Sequence, residues 1–359
     1  MTAQQPAQQP QPSAPPNLDA ILIVQAATLL TLEAGSAYAA TITLRRALAQ
    51  FRRAANRRWM MAGQNPAAAA ALGQQAREHL VQALVVELRQ VAAHTQGELG
   101  AVLRREAQYA LQLGAKHAGE QVGLTIAAEE LRLDETALRL IEHTPTAAIA
   151  HLGRAAELVQ RAQSGQDLQA AIAEADRSVA AVNTGSTYLT NHVANDAAQQ
   201  VAVRLGEKLL WIAERNACVV CLALAGHIAD PNEGLGFDEF ATYGPYEPPS
   251  VWPYGMPLMR PPRHVHCRCQ VCIWLGSAPG QPDLPERLRH EAARSVLKGW
   301  SLPSESTRVR LRAAEKLLAA GGRGLPRSVQ EEAAKAVARG RFKSREVPHF
   351  TPNKEKHHV

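Results

Sequence analysis

The sequence contains few aromatic residues and few cysteines. Phe, Trp and Tyr make up 4% of the 359 residues, whereas 46% are hydrophobic and many of those are alanine. Because alanine favours helices and buries little surface, this composition predicts long helices with thin apolar seams rather than one large core. The chain also lacks a basic segment followed by a continuous apolar run at its start, which argues against a secretory signal peptide.

Long uninterrupted apolar segments are absent as well. The run at residues 20–32 is broken by polar side chains and bracketed by Asp19 and Glu33, so it predicts a buried helix that is too short to span a bilayer. Residues 1–17 are Gln, Pro, Ala and Ser with little to bury, which predicts a disordered leader. The net charge of +6 is mildly basic and does not by itself predict nucleic-acid binding.

The few cysteines are concentrated in one region, residues 211–275. A Cys-x2-Cys step lets two thiolates face one tetrahedral ion, and a distant His-x2-Cys step supplies two further ligands. This spacing predicts a zinc site of three cysteines and one histidine, in which Cys269 can replace Cys267 because alternate residues of a strand share a face. The predicted ligands are Cys218, Cys221, His264, Cys267 and Cys269.

Other interpretations of the cysteines remain open. They can be reduced, buried thiols without metal, or two disulfides and one free thiol. A catalytic zinc would need an open coordination position, and His266, His227 and Glu214 are the residues that could contribute to such a site. Each of these three is more typical of a surface or packing position, so a structural zinc is favoured over a catalytic one.

The two cysteine-containing segments resemble the phage Mu F-like minor head protein family, also called phage head morphogenesis proteins. The resemblance covers about residues 180–276, including a polar helix around residues 183–206, an apolar strand at 209–212 and Gly226. Its most specific part is a Pro-Pro-x-His-x2-Cys-x-Cys signature. The matching residues are Cys218, Cys221, Pro261, Pro262, His264, Cys267, Arg268 and Cys269.

The resemblance implies a protein of the virion. It implies association with the portal protein and with capsid or scaffold proteins during head assembly, a bearing on DNA packaging or delivery, and a place inside the capsid near the portal vertex after assembly in the host cytoplasm. The chain departs from the family in its extra Cys272 and in a long aromatic insert. Family members also commonly carry an acidic residue shortly before the first cysteine, where this chain has Glu214 to Ala217.

Two basic regions are candidate contacts for DNA. Residues 44–59 predict an amphipathic helix whose arginines, in the region Arg45–Arg58, share one broad face. That face is either a docking surface for DNA, acidic protein or anionic lipid, or a solvated face whose arginines pair with glutamates on neighbouring helices, and the second interpretation is favoured. The tail has 17 Lys and Arg against 9 Asp and Glu from residue 281 onward.

Between and after the cysteine segments the character of the chain changes twice. Residues 226–262 are rich in proline and aromatic residues, which predicts an irregular loop that is either a binding loop or a cover for its own small core. From about residue 284 a weak repeat of about 20 residues, each copy ending in glycine, predicts three short helices.

These observations predict a mostly α protein with a small α+β subdomain cross-linked by zinc and a short helical tail. The predicted segments are a disordered leader (1–17), a helical region (18–180), the Mu F-like domain (181–276), a linker (277–283), a basic helical tail (284–345) and a disordered end (346–359). No nucleophile and base pattern is present, so an enzyme is not expected. The alternatives are a zinc-dependent enzyme, such as a fused capsid maturation protease or toxin, and a zinc-stabilised DNA-binding protein. No membrane contact is predicted.

Overall fold

The computed structural model describes residues 18–63, 73–231, 260–262, 267–276, 283–301 and 305–343. Over these ranges the chain forms eight α-helices and one small sheet, which confirms the predicted mostly α class with a long helical N-terminal region and few strands. The predicted leader, the disordered end, residues 277–282 of the linker and most of the aromatic loop lie outside the described residues.

The helices differ greatly in length. The long helices are α1 (Leu18–Gly63), α2 (Gly73–Val122), α3 (Glu135–Arg161) and α4 (Gly165–Leu205), and the short ones are α5 (Val219–Leu224), α6 (Leu284–Lys298), α7 (Thr307–Ala319) and α8 (Arg327–Ala338). Strands β1 (Lys208–Ile212), β2 (Ile228–Ala229) and β3 (Gln270–Trp274) complete the order. Short 3-10 turns lie at Ala128–Glu130 and Gly321–Gly324.

Several glycines and one proline lie inside the long helices without interrupting them. Gly97, Gly114 and Gly119 lie inside α2, and Pro145 lies inside α3; only Gly123, with φ of 68°, coincides with a helix end. A helical glycine costs only about 1 kcal/mol relative to alanine, which burial outweighs. The absence of a side chain at Gly114 allows α2 to pack closely against α4, since a Cβ there would lie 2.5 Å from the Ala194 carbonyl oxygen.

The chain forms two compact units. Unit 1 contains residues 1–30, 111–132 and 191–359, and unit 2 contains residues 31–110 and 133–190. Three of the boundaries fall within α1, α2 and α4, because each of these long helices contributes one end to each unit. A composition shift along the sequence does not indicate such a division, and the borders at residues 180 and 284 stay predictions.

Within its described residues, unit 2 contains helices and the short segments that join them, and no strand. Its core is formed by leucines, alanines and Phe51, while ion pairs such as Arg52 with Asp176 (2.6 Å) lie on its surface. The buried carboxylate of Glu174 accepts hydrogen bonds from Arg154, His151 and Arg177. These partners, Arg154 first, lower the pKa of Glu174 to about 2.

Unit 1 contains the sheet and the tail. The strand order is β2-β1-β3, all antiparallel, with Leu209 opposite Ile273 and Trp211 opposite Val271. Beneath the sheet, Leu18, Leu22, Leu210, Cys272 and Leu284 form a buried cluster. The start of α1, strands β1 and β3 and the first tail helix therefore share one core.

The tail forms the three short helices that its repeat predicts. Helix α6 ends at Gly299 with φ of 68°, and Gly340, with φ of 68°, closely follows α8. Between α7 and α8, the Gly321–Gly324 turn includes Arg323 at φ of 53°. Glycines with a positive φ, such as Gly299 and Gly340, commonly end helices because they carry no Cβ.

Helix α1 is longer than the apolar run within it. Residues 18–61 include an 18-residue window of mean hydropathy 1.5, of which 33% is buried, so this helix is long and apolar enough to cross a membrane by length and composition. The prediction concerned only the run at residues 20–32, and the helix continues far beyond residue 32. A single such helix is weak evidence for a membrane, since core helices pass the same test.

Candidate metal centre

The first cysteine pair lies where β1 passes into α5. A turn closed by the Ala217 amide on the Glu214 carbonyl (3.0 Å) leads to Cys218, which is the N-cap residue of α5. The Sγ of Cys218 accepts a hydrogen bond from the Cys221 amide (3.4 Å), and both side chains are buried. The Cys-x2-Cys step therefore folds into a tight turn that places its two side chains on the same side of the chain.

The second pair, Cys267 and Cys269, lies immediately before β3. The sulfur of Cys267 is 3.7 Å from that of Cys221, and the sulfurs of Cys221, Cys267 and Cys269 all lie within 4.8 Å of one another. We call these three atoms the sulfur cluster. Thiolates on one tetrahedral zinc ion, with Zn–S of about 2.3 Å, are separated by roughly 3.8 Å. The cluster therefore has dimensions that fit a metal ion, and it contains both of the cysteines that the sequence left as alternatives.

The thiols of the sulfur cluster are difficult to ionise without a cation. Hydrogen bonding with Cys218, Cys267 and Cys269, reinforced by burial, raises the pKa of Cys221 well above its usual value. Burial raises the pKa of Cys269 in the same direction. A bound cation reverses this balance because thiolates are its ligands, so this donor set fits a thiophilic metal.

Cys272 does not belong to the cluster. It lies on β3 among Leu18, Leu22 and Leu210, and its thiol donates to the carbonyl oxygen of Ile273 at 3.3 Å. Burial raises the pKa of Cys272 to about 12. None of the five cysteines forms a disulfide bond. Cys272 is therefore a core residue, whereas Cys221, Cys267 and Cys269 form the sulfur cluster.

Of the histidines and the carboxylate that the sequence indicated as possible ligands, the structure describes His227 and Glu214. His264 and His266 lie outside the described residues. His227 is half-buried, its Nδ1 lies 3.1 Å from the Leu224 carbonyl oxygen, and burial lowers its pKa. Burial also raises the pKa of Glu214, against the opposing influence of Arg268. Neither His227 nor Glu214 is part of the sulfur cluster.

Two asparagines of α4 hold the strand that follows the second cysteine pair, and the sequence analysis did not identify them. Asn195 donates to the Cys269 carbonyl (3.3 Å) and accepts from the Val271 amide (2.8 Å). Asn191 donates to the same carbonyl at 3.4 Å. Asn195 thus pairs with the edge of β3 as a neighbouring strand would, which fixes the backbone beside Cys269. The only signal in the sequence is the four-residue spacing of the two amides on a helix already recognised as polar.

Glutamines extend this arrangement along β3. Gln121 of α2 accepts from the Ile273 amide (3.0 Å) and donates to Gln25 of α1 (2.8 Å). Gln270 donates to the Leu22 carbonyl at 3.2 Å. These side chains are buried. Strand β3 beside the sulfur cluster is therefore hydrogen-bonded by amide side chains of two helices, α2 and α4, and by a backbone carbonyl of α1.

The chain that enters the second cysteine segment is fixed by Arg260. Its guanidinium contacts the Asp196 carboxylate at 2.8 Å and lies 3.3 Å from Nε2 of His192, with side-chain exposures of 12% for Arg260 and 8% for Asp196. Pro261 and Pro262, which follow at once, are buried. The start of the Pro-Pro-x-His signature is therefore held against α4 by a buried ion pair.

The tail packs directly on the first cysteine pair. The Glu305 carboxylate accepts from the Val219 amide at 3.1 Å. A Cβ on Gly226, whose φ is 75°, would lie 2.1 Å from the Pro285 carbonyl oxygen, so this glycine allows close contact with α6. The tail is thus part of the structure around the first cysteine pair.

The chain matches no protein-family model, no curated protein and no solved structure. What the fold and the site define is a class: a mostly helical protein with a buried cysteine cluster suited to a metal ion beside a small antiparallel sheet.

Proposed function

We propose that the sulfur cluster holds a structural zinc ion. The observation that carries this proposal is the approach of three buried sulfurs within 4.8 Å from two distant segments of the chain. A tetrahedral thiolate site is typical of zinc or of an iron–sulfur cluster, and a single ion fits the 3.7 Å separation of two of the sulfurs. The ion would cross-link residues 218–221 to residues 267–269 and contribute on the order of 10 kcal/mol of binding free energy to folding.

Metal analysis of the reduced, purified chain tests this proposal. We expect one zinc per chain, released by a chelator, and no visible absorption of the kind that iron–sulfur clusters give. Iron with acid-labile sulfide, or no metal after growth in zinc-supplemented medium, would contradict it.

We further propose that the protein is a phage minor head protein that associates with the portal during head assembly and DNA packaging or delivery. The support is the resemblance of Cys218, Cys221 and the Pro261–Cys269 signature to the Mu F-like family. The two halves of that motif also contribute to one buried cluster, as a shared metal site requires. On this proposal the protein acts in the host cytoplasm during assembly and remains inside the capsid near the portal vertex.

Co-expression with the portal protein of the same phage genome tests this function. We expect the full chain to co-sediment with the portal oligomer and to be present in purified virions by mass spectrometry. A chain that neither co-sediments with the portal nor occurs in virions, while binding duplex DNA with a steep salt dependence, would favour the zinc-stabilised DNA-binding alternative. Turnover of a peptide or nicotinamide substrate that is lost on cysteine substitution would favour the enzyme alternative.

Within this function, the basic face of α1 is the better supported contact for DNA. No Asp or Glu occurs between Glu33 and Glu78. Arg52 and Arg58 pair with Asp176 and Glu87, as the solvated-face interpretation expects. Arg46, Arg53 and Arg57 are exposed and form no ion pair within the described part of the chain.

The spacing of these three arginines suits a phosphate backbone. Steps of seven and four residues place them on one side of the helix, and arginine binds phosphate through two parallel hydrogen bonds. We expect the triple change Arg46→Gln, Arg53→Gln, Arg57→Gln to reduce the slope of log K against log salt for duplex DNA by about 2.7, at about 0.9 per lost contact.

A matched triple in the tail serves as the control. Arg308, Arg312 and Lys316 are exposed along α7 at four-residue steps. Their replacement by Gln leaves the slope unchanged if the basic face of α1 is the contact. A reduction in the tail triple alone would assign the contact to the tail.

A further inference from the structure

The sulfur cluster leaves one position of a tetrahedral site to be filled. Three sulfurs lie within 4.8 Å of one another, and structural zinc sites have four protein ligands. Cys218 and Glu214 are the two candidates near the cluster in the described residues, and His264 is the candidate that the sequence spacing supplies. The fourth ligand would thus be a cysteine, a glutamate or a histidine.

The position of Cys218 is that of the first ligand in a cysteine turn. It stands three residues before Cys221 at the start of α5, and its buried Sγ accepts the Cys221 amide at 3.4 Å. An N–H···S bond of this kind stabilises a thiolate, because it is made to the charged form. The Cys218 side chain also interacts with that of Cys221, a member of the cluster, so its Sγ is next to the three sulfurs along the first cysteine turn.

The other thiol and the carboxylate are less suited to the position. Cys272 is separated from the cluster by its place among Leu18, Leu22 and Leu210. Glu214 offers a hard oxygen donor, whereas three thiolates already select a soft ion that prefers a fourth sulfur. The Cys218 side chain is therefore the donor that both geometry and ligand chemistry favour.

We propose that the centre is an all-cysteine site, with Cys218, Cys221, Cys267 and Cys269 binding one zinc-type divalent cation. This inference rests on the proposed zinc site and replaces the set of three cysteines and one histidine expected from the sequence. Two tight turns then supply the four ligands, one as an i, i+3 pair at a helix start and the other as an i, i+2 pair before a strand.

X-ray absorption at the zinc edge of the full-length, zinc-loaded chain tests the ligand set directly. We expect a shell of four sulfurs at about 2.3 Å and no nitrogen at about 2.0–2.1 Å. This measurement uses the unaltered protein, so it does not depend on the folding of a variant. Three sulfurs with one nitrogen or oxygen would overturn the proposal.

Variants provide a second, independent readout through competition with a chromophoric zinc chelator. We expect His264→Ala and Cys272→Ala to keep the affinity of the parent chain within about twofold. Cys218→Ser should weaken zinc binding by more than the roughly 10- to 100-fold that the loss of an outer partner typically costs.

The outcomes separate the ligand set from the zinc site itself. A large loss of affinity in His264→Ala, together with a nitrogen in the parent spectrum, would restore the histidine ligand and refute the all-cysteine set while leaving the zinc site intact. A large loss in Glu214→Gln with an oxygen in the spectrum would do the same for a glutamate ligand. A parent chain that binds no zinc at all would overturn both proposals together.

Discussion

Unit 2 and unit 1 are stabilised by different means. In unit 2, long helices bury leucine and alanine along their seams, and polar contacts such as that of Glu174 with Arg154 lie at the margins of the packing. In unit 1, a sheet of three short strands has its edge paired by Asn195 and Gln121, and a cysteine cluster lies beside it. Where strands are too short to bury much apolar surface, directional polar contacts and a candidate metal site take the place of core volume.

Metal removal should give the largest difference between the units. Chelation, or the change Cys221→Ser, should remove on the order of 10 kcal/mol of metal-binding free energy from unit 1. The helices of unit 2 should remain as stable as before. We expect hydrogen exchange by mass spectrometry to show loss of protection over residues 208–229 and 267–276. Protection should also fall in 18–30, 111–132 and 191–205, because each of these segments is hydrogen-bonded to β3.

An exchange pattern confined to residues 211–275, with those helix ends unchanged, would show that the cysteine region unfolds independently of the helices. Equal loss of protection in residues 31–110 would contradict the division into two units.

Loss of Asn195 should have the next largest effect. Asn195→Ala removes the acceptor of the Val271 amide and one of the donors to the Cys269 carbonyl at a buried strand edge. Leaving buried polar groups without these hydrogen bonds costs about 1–3 kcal/mol. We expect a lower midpoint of urea unfolding and a roughly 10- to 100-fold weaker zinc affinity, the range for partners that orient a ligand.

Asn191→Ala is the matched control for that change. Asn191 shares the Cys269 carbonyl at 3.4 Å, and Asn195 would still satisfy that carbonyl in its absence. Its effect on both stability and zinc affinity should be the smaller of the two. Equal effects of the two changes would show that the hydrogen bond between the Val271 amide and Asn195 contributes to neither stability nor zinc affinity.

A pair of glycines in one helix compares the packing of the two units. Gly114→Ala places a Cβ 2.5 Å from the Ala194 carbonyl oxygen and should destabilise unit 1 by about 1–3 kcal/mol. Gly100→Ala, in the same helix but in unit 2, meets nothing within 4 Å and should stabilise by up to about 1 kcal/mol. Thermal unfolding of the two variants checks this, and the same sign for both would contradict it.

The smallest effect is expected for Glu174, and it depends on pH. Because Arg154, His151 and Arg177 lower the pKa of Glu174 to about 2, its carboxylate stabilises the folded state above the ordinary pKa of about 4.5. That stability is lost as the pH falls from about 4.5 to about 2. Glu174→Gln should therefore lower stability by about 1 kcal/mol at neutral pH, and the difference from the parent chain should vanish near pH 2.

Glu135→Gln is the control for the glutamate change. Glu135 pairs with Arg139 on the surface, where its side chain is 74% exposed, and surface changes usually stay within about 0.5 kcal/mol. A pH-dependent difference in this variant that matched the one for Glu174 would show that burial of the carboxylate is unimportant.

Part of this structure follows from local sequence and part does not. Periodicity and glycine stops predicted the three tail helices, because helix ends depend on residues close in sequence. The length of α2 could not be predicted from its glycines, since packing outweighs the loss of helix propensity at Gly97 and Gly119. The division into units depends on contacts between distant segments, which no local pattern records.

The candidate metal centre shows the same division between local and distant information. Spacing alone predicted the cysteines as ligands, because a Cys-x2-Cys step constrains its own geometry. It did not decide between Cys267 and Cys269, which the sulfur positions in three dimensions place together. Asn195 could not be found, since an amide that pairs with a strand edge has no characteristic spacing relative to its partner.

The contact between Cys221 and Cys267 also bears on how the protein can vary. These residues are 46 positions apart in sequence, yet their sulfurs are 3.7 Å apart, so the chain between them closes on itself at a fixed base. The closure entropy of such a loop rises by only about 0.6 kcal/mol for each doubling of its length. By this scaling, the number of residues between the two cysteine segments has only a small effect on the free energy of bringing Cys221 and Cys267 together.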